Sequence, residues 1–262
     1  MNKSLRIACD GEAASGKSTG AKLVSKKYKL FLINSGLLYR YASKIIIKHK
    51  PKKIVPFLKK KFKNISYNKI KKQSLHSQEI SNHVGYLAKN KGVREIMKKF
   101  QKKIIKKNKR ICVEGRDIAS KILKKNPKYD LAFYFKCKIS VASYRRWLDL
   151  NKKVPLKIVK TSLKKRTQID KKRKHSPLIK VKDAILIRSD KLTKKQVVEK
   201  MSKKIDKHVK IVDFSNVSEE NKHKQQYGTI HTVEQTTSIC HPVIQIPEQE
   251  DRNTVKRHIY IY

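Results

Sequence analysis

The chain is poor in the features that crosslink a protein or anchor it in a membrane. Its four cysteines, Cys9, Cys112, Cys137 and Cys240, lie far apart in 262 residues, with no CxxC and no Cys/His pair at zinc-ligand spacing. This argues against a disulfide scaffold or a zinc finger and fits a reducing compartment, so the expected location is cytoplasmic. No apolar run approaches the roughly 20 residues of a membrane helix, so no membrane partner is expected. Met1 to Asp10 lacks the charged, apolar and small-residue order of a secretory signal. Acidic residues are scarce: 20 stand against 67 basic ones, a formal net charge of +47.

Such a charge invites a nucleic-acid reading. Its make-up argues otherwise. Lysines number 55 and arginines 12, beside abundant isoleucine and asparagine, the bias of AT-rich coding. No RRM, KH or zinc-knuckle pattern occurs, and arginines do not alternate with aromatics. Most of the lysine is therefore read as solvated surface, with no specific nucleic-acid partner. The charge is also uneven. Residues 212–262 hold 5 basic and 7 acidic side chains, a net of −2, which leaves +49 on residues 1–211. The expected organisation is one domain over 1–211 and a disordered or loosely attached tail over 212–262, which lacks helical periodicity.

Short apolar runs at 4–10, 30–33, 110–113, 130–137 and 184–187 read as strands. Helical spacing covers 17–28, 37–47, 79–107 (with an interruption near Gly92), 140–150, 155–173 and 193–208. Residues 50–72, lysine-rich with Pro51 and Pro56, read as a partly irregular insert. Strands alternating with helices predict an α/β fold with a parallel sheet. Cys9, Cys112, Cys137, Trp147 and the aromatics Phe133, Tyr134 and Phe135 are read as core, and His175 as a loop residue.

The sharpest signal is Gly11-Glu12-Ala13-Ala14-Ser15-Gly16-Lys17-Ser18, a GxxxxGK[ST] motif between a strand and a helix. Its backbone N–H groups and the helix N-terminus can cradle phosphates. Lys17 can reach the β- and γ-phosphates, and the Ser18 hydroxyl can ligate Mg²⁺. The motif implies a nucleoside triphosphate and leaves its use open. Three further groups narrow that use. Ser35-Gly36-Leu37-Leu38-Tyr39-Arg40 follows the second strand, with Ser35 readable as a helix N-cap. Glu114-Gly115-Arg116-Asp117 ends the third, where open α/β sheets bind ligands. Arg166, Asp170 and Arg173 share one helical face, suited to bidentate phosphate contact, with Arg145 and Arg146 upstream.

This ordered set, the P-loop, SGLLYR, VREI, EGRD and RxxxDxxRxxxPL, resembles bacterial cytidylate kinase over about residues 4–208. The resemblance implies a P-loop five-stranded parallel sheet flanked by helices, with a monophosphate-binding insert near 50–90 and a lid near 145–173. It implies transfer of the γ-phosphoryl of ATP to CMP or dCMP, with Mg²⁺, by a monomer. It assigns Gly11 to Ser18 and Thr19 to ATP, with Ser18 on the metal. Ser35, Arg40, Arg116 and Arg173 fall to the acceptor phosphate and its surroundings. Arg94 and Asp117 fall to the cytosine, and Arg166 and Asp170 to phosphate and ribose. The implied catalytic group is Lys17, Arg116, Asp117, Arg145 and Arg173, Arg145 and Arg146 being lid arginines.

The chain departs from the family pattern at four places. Gly85 stands where a serine helps read cytosine, His76 replaces an arginine, and Ala119-Ser120 replaces Gly-Thr. The insert also looks short. These departures bear on base choice more than on phosphoryl transfer. Two alternatives remain at this stage: a P-loop kinase for another small monophosphate, and a basic nucleic-acid-binding P-loop protein.

Overall fold

Alternation along β1 (Leu5–Gly11) decides which side chains meet which layer. Leu5, Ile7 and Cys9 point to one face, Ala8 and Asp10 to the other. The first face is closed by α1 (Lys17–Lys27) and α9 (Lys194–Tyr227), whose Ala21, Val24, Met201 and Ile205 pack with Ile7, Cys9, Phe133 and Phe135. The second is closed by α2 (Ser35–His49) and α6 (Lys91–Lys107), through Leu38, Ile45, Met97 and Phe100. Burying an apolar face on each side is what holds the layers together, at roughly 1.5–3 kcal/mol per large side chain.

The other strands are β2 (Phe31–Asn34), β3 (Arg110–Glu114), β4 (Leu131–Lys136) and β5 (Ile185–Arg188). All pair in parallel, in the order β2-β3-β1-β4-β5. β1 thus lies between β3 and β4, and the connections leaving the carboxyl ends of β1 and β4 run in opposite directions, one to β2 and the other to β5. This opens the crevice where α/β sheets bind ligands. The computed structural model describes residues 4–75 and 77–227, so His76 lies outside the described residues. One compact unit spans Met1–Val212. Among the described residues no helix is long and apolar enough to cross a membrane.

The structure differs from the sequence expectations in three places and locates one expected interruption. Residues 50–72 are mostly helical: α3 (Ile54–Lys63) and α4 (Tyr67–Lys71). Pro56 sits in the first turn of α3, where its missing N–H has no helical partner to lose. The stretch 79–107 is two helices, α5 (Gln78–Leu87) and α6. The interruption expected near Gly92 falls just before it: Asn90 Oδ1 accepts the Val93 N–H at 3.1 Å and caps α6. The cap of α2 is Asn34 rather than Ser35, its Oδ1 accepting from Leu37 N at 3.3 Å. Finally, α9 runs on to Tyr227 instead of ending near 208. No Gly or Pro interrupts 194–227, and Gly228 is the first breaker met. The remainder of the expected tail, 228–262, lies outside the described residues.

Two further helices, α7 (Ile139–Asp149) and α8 (Leu156–Lys172), form a hairpin with its own small core. Ala142, Val159 and Leu163 pack there with Cys137 and with Ala13 of the Gly11–Ser18 loop. Replacing Asn90 with Ala removes the α6 cap and is expected to lower unfolding free energy by about 1 kcal/mol. A shift of the urea midpoint at unchanged slope would register it; an unshifted midpoint would contradict the capping account.

Candidate active site

The Gly11–Ser18 loop is shaped by what it must pass. A Cβ on Gly11 would stand 2.5 Å from the Phe135 carbonyl oxygen, so the loop can cross β4 only as glycine. Gly16 takes the left-handed conformation, with φ 75°, and is the N-cap of α1. It brings no side-chain cap and the first turn holds no acidic residue, so the helix N-terminus is left for an external anion. Ser189 Oγ donates to Ser15 O at 2.9 Å and braces the loop from the β5 side. Glu12 accepts from Lys171 Nζ at 2.7 Å, which ties the loop to α8. Ser18 and Thr19 are exposed on the first turn.

Strand parity predicts the next contact. Glu114 shares the face of Cys112, which is the α1 face, and there its Oε2 meets Lys17 Nζ at 2.9 Å. Both residues are buried, Lys17 at 6% exposure. Asp10 shares the opposite face with Ala8. Its two carboxylate oxygens accept the N–H groups of Ile118 and Ala119 at 2.9 and 2.8 Å. Those residues open a single π-helical turn, Ile118–Ile122, directly after Arg116 and Asp117. Asp10 thereby fixes the turn that aims these two side chains.

From that turn a chain of alternating charge crosses the crevice. Arg94 Nη2 is 2.6 Å from Asp117 Oδ2. Asp117 Oδ1 is 3.8 Å from Arg173 Nη2, and Arg173 Nη1 is 3.0 Å from Asp170 Oδ1. Asp170 Oδ2 is 2.9 Å from Arg116 Nε. Arg94 also lies over the Tyr39 ring, 5.8 Å from its centroid. Two donors in this chain, Arg94 Nε and Arg173 Nη2, are buried without a hydrogen-bond acceptor.

Beside the chain stands a second group of guanidiniums that repel one another. Arg166 is open to water, yet it sits in a concavity crowded by protein. That crowding, then Arg116, Arg40 and Arg146, pushes its pKa down to about 10, with Asp170 opposing. Arg40 is lowered by burial and by Arg146. It is held in place by Leu75 O at 3.1 Å and Ser81 Oγ at 2.9 Å. Arginines that depress one another mark a site short of negative charge, and a phosphate group supplies it with matching geometry.

With this geometry in hand, comparison with known proteins is decisive. The family model described as cytidylate kinase matches residues 7–207. The chain belongs to the cytidylate kinase family. It is 32% identical over 220 residues to a cytidylate kinase of Clostridium botulinum, covering 78% of this chain and 98% of that protein. It is 32% identical over 216 residues to a cytidylate kinase of Clostridioides difficile, covering 77% and 98%. Identity reaches 35% over 215 residues with a bifunctional pantoate ligase/cytidylate kinase of Prochlorococcus marinus, covering 74% of this chain and 42% of that protein.

Within this family member, most residues singled out from sequence converge. Arg94, Asp117, Arg173, Asp170 and Arg116 are joined by ion pairs, Lys17 is paired separately with Glu114, and Arg40 and Arg166 face the chain electrostatically. Ser35 is buried and donates to Gln101 Oε1. Arg145 does not join the arginine group: its Nη2 donates to Ser189 O at 3.0 Å and Leu192 O at 3.4 Å. Its neighbour Arg146 is the one that faces Arg40 and Arg166.

Sequence reasoning passed over Asp10, Tyr39, Gln101 and Ser189. Asp10 carried a signal, a carboxylate ending an otherwise apolar strand. So did Gln101, a polar residue on the buried stripe of Met97 and Ile105.

Burial raises the Asp10 pKa to about 6 against the two amides that lower it. The unfolded value is near 3.9. Folding therefore favours the protonated acid, and its contribution to stability is present below about pH 4 and lost as pH rises through about 6. The stability difference between the parent and Asp10→Asn should fall by about 2–3 kcal/mol between pH 4 and 7. A difference independent of pH in denaturation curves would contradict this.

Proposed function

We propose that this chain transfers the γ-phosphoryl group of ATP to CMP or dCMP, giving ADP and CDP or dCDP. The observation that carries the reading is the group Arg40, Arg116, Arg146 and Arg166, mutually repelling and tied to the phosphate loop through Lys171–Glu12 and to β3 through Asp170–Arg116. Membership of the family supports ATP as donor and a cytidine monophosphate as acceptor.

On this reading Gly11 to Ser18 and Thr19 hold the ATP phosphates at the uncapped α1 N-terminus. Lys17 exchanges Glu114 for β- and γ-oxygens. The exposed Ser18 hydroxyl fits a magnesium ion brought with ATP, which would offset charge on those oxygens. Ser35, Arg40, Arg116 and Arg173 take the acceptor phosphate, with Arg166 and Asp170 at phosphate and ribose, and the orphaned donors on Arg94 and Arg173 face substrate acceptors. Arg94 and Asp117 read the base. Arg146, in place of Arg145, closes over the transferring group. The segment α3–α5 acts as the monophosphate insert and α7–α8 as the lid. Catalysis then rests on positioning and charge stabilisation, with closure excluding water.

A panel of CMP, dCMP, UMP and AMP with ATP and Mg²⁺ tests the substrate. Highest kcat/KM for CMP or dCMP is expected; UMP or AMP turning over best would contradict it. A Cβ on Gly85 meets nothing within 4 Å, so Gly85→Ser fits without clash and should raise CMP over UMP selection in the same panel.

Lys17→Ala should cut turnover by at least ~100-fold. It also strands Glu114 as a buried unpaired charge, at about 3–5 kcal/mol. The double variant Lys17→Met/Glu114→Gln should restore stability and not turnover. Near-normal turnover in either variant would overturn the role of Lys17.

A further inference from the structure

A second concavity lies at the opposite end of the strands from the phosphate loop. The turn after α3, the start of β2 and the last turns of α6 enclose a groove of about 430 Å³, within the size range of small-molecule sites. Its floor is aromatic. Phe31 and Tyr67 lie 6.0 Å apart, and Phe62 meets Phe100 edge to face at 5.2 Å. Its rim carries Lys63, Lys103 and Lys107, and no Asp or Glu is among the described lining residues. Lys103 and Lys107 stand one helical turn apart on α6, so both extend over the same side of the groove. Phe62, Tyr67 and Phe100 are buried and packed into the core, so Phe31, Ile65 and Ile104 supply the apolar surface beneath the cations, a combination that suits a ring carrying a polyphosphate better than a lone carboxylate or an uncharged ring.

The groove is wired to the crevice from two sides. Tyr67 Oη accepts the N–H of Asn34 at 2.7 Å, and Asn34 caps α2 immediately before Ser35. On α6, Gln101 accepts a hydrogen bond from Ser35; it does not line the groove itself but directly follows the lining residue Phe100. A ligand between α4 and α6 would touch Tyr67 directly and would reach Gln101 through the α6 turn that carries Phe100 and Lys103.

We propose that this groove is a second nucleotide site, binding a nucleoside triphosphate outside the phosphate-transfer crevice and acting on that crevice through Tyr67–Asn34 and Gln101–Ser35. Only the effect on turnover rests on the proposed activity; occupancy of the groove does not.

The test is equilibrium dialysis of radiolabelled CTP against the full chain at physiological salt. The crevice is first filled with saturating non-hydrolysable ATP analogue and CMP. About one equivalent of CTP should still bind. Lys103→Glu/Lys107→Glu should weaken it at least tenfold while basal turnover stays unchanged. Lys195→Glu/Lys203→Glu, the same charge reversal on exposed positions of α9, should leave CTP binding as it was. Failure of CTP to bind once the crevice is filled would overturn the proposal. So would equal weakening by the α9 pair, which would assign the attraction to diffuse surface charge.

Discussion

The site depends on guanidiniums being held close together against their own repulsion. Asp117 and Asp170 do this: each lies between two arginines, in the order Arg94, Asp117, Arg173, Asp170, Arg116. Ion pairs this buried add little net stability, because desolvation offsets most of the attraction. Their consequence is geometric. They fix planar cations at set positions in the crevice, with Arg40, Arg146 and Arg166 beside them and short of negative partners. The excess is what an anionic substrate relieves, and a preorganised cationic wall needs no reorganisation when charge develops in the transition state.

Beneath that wall the sheet does the positioning. β1 and β3 are neighbours in parallel register, Cys9 opposite Glu114. Parity sends Glu114 toward Lys17 on one face and Asp10 toward the π-helical turn on the other. One strand pair thus sets both the donor-side lysine and the loop bearing Arg116 and Asp117. The α7–α8 hairpin joins the same assembly through Ala13, Glu12 and Arg116, so elements far apart in sequence meet at the phosphate loop.

Much of this was legible in the sequence where the signal is local. The glycine loop, the five apolar runs and the face shared by Arg166, Asp170 and Arg173 are short-range patterns, and each reappears in the fold. What was not legible is long-range or directional. Lys17 and Glu114 are 97 positions apart, and only strand order brings them together. Arg145 and Arg146 are adjacent on a helix and so diverge by about 100°; composition cannot say which one faces the crevice. The interruption between α5 and α6 was legible near Gly92, but not its chemistry: the side chain of Asn90 supplies the hydrogen bond that restarts the helix. Of the many lysines, the most conspicuous feature of the chain, Lys17 and the loop-bracing Lys171 are the ones that make ion pairs at the crevice among the described residues.

The central claim is that the crevice is built around a phosphate anion, with the base as a secondary determinant. Calorimetric titration of CMP against cytidine tests it directly, in low and physiological salt. The account predicts that CMP binds at least ~100-fold more tightly than cytidine, with a difference that narrows as salt rises. Equal affinity for the two would contradict it, because the arginine wall would then be balanced without the phosphate.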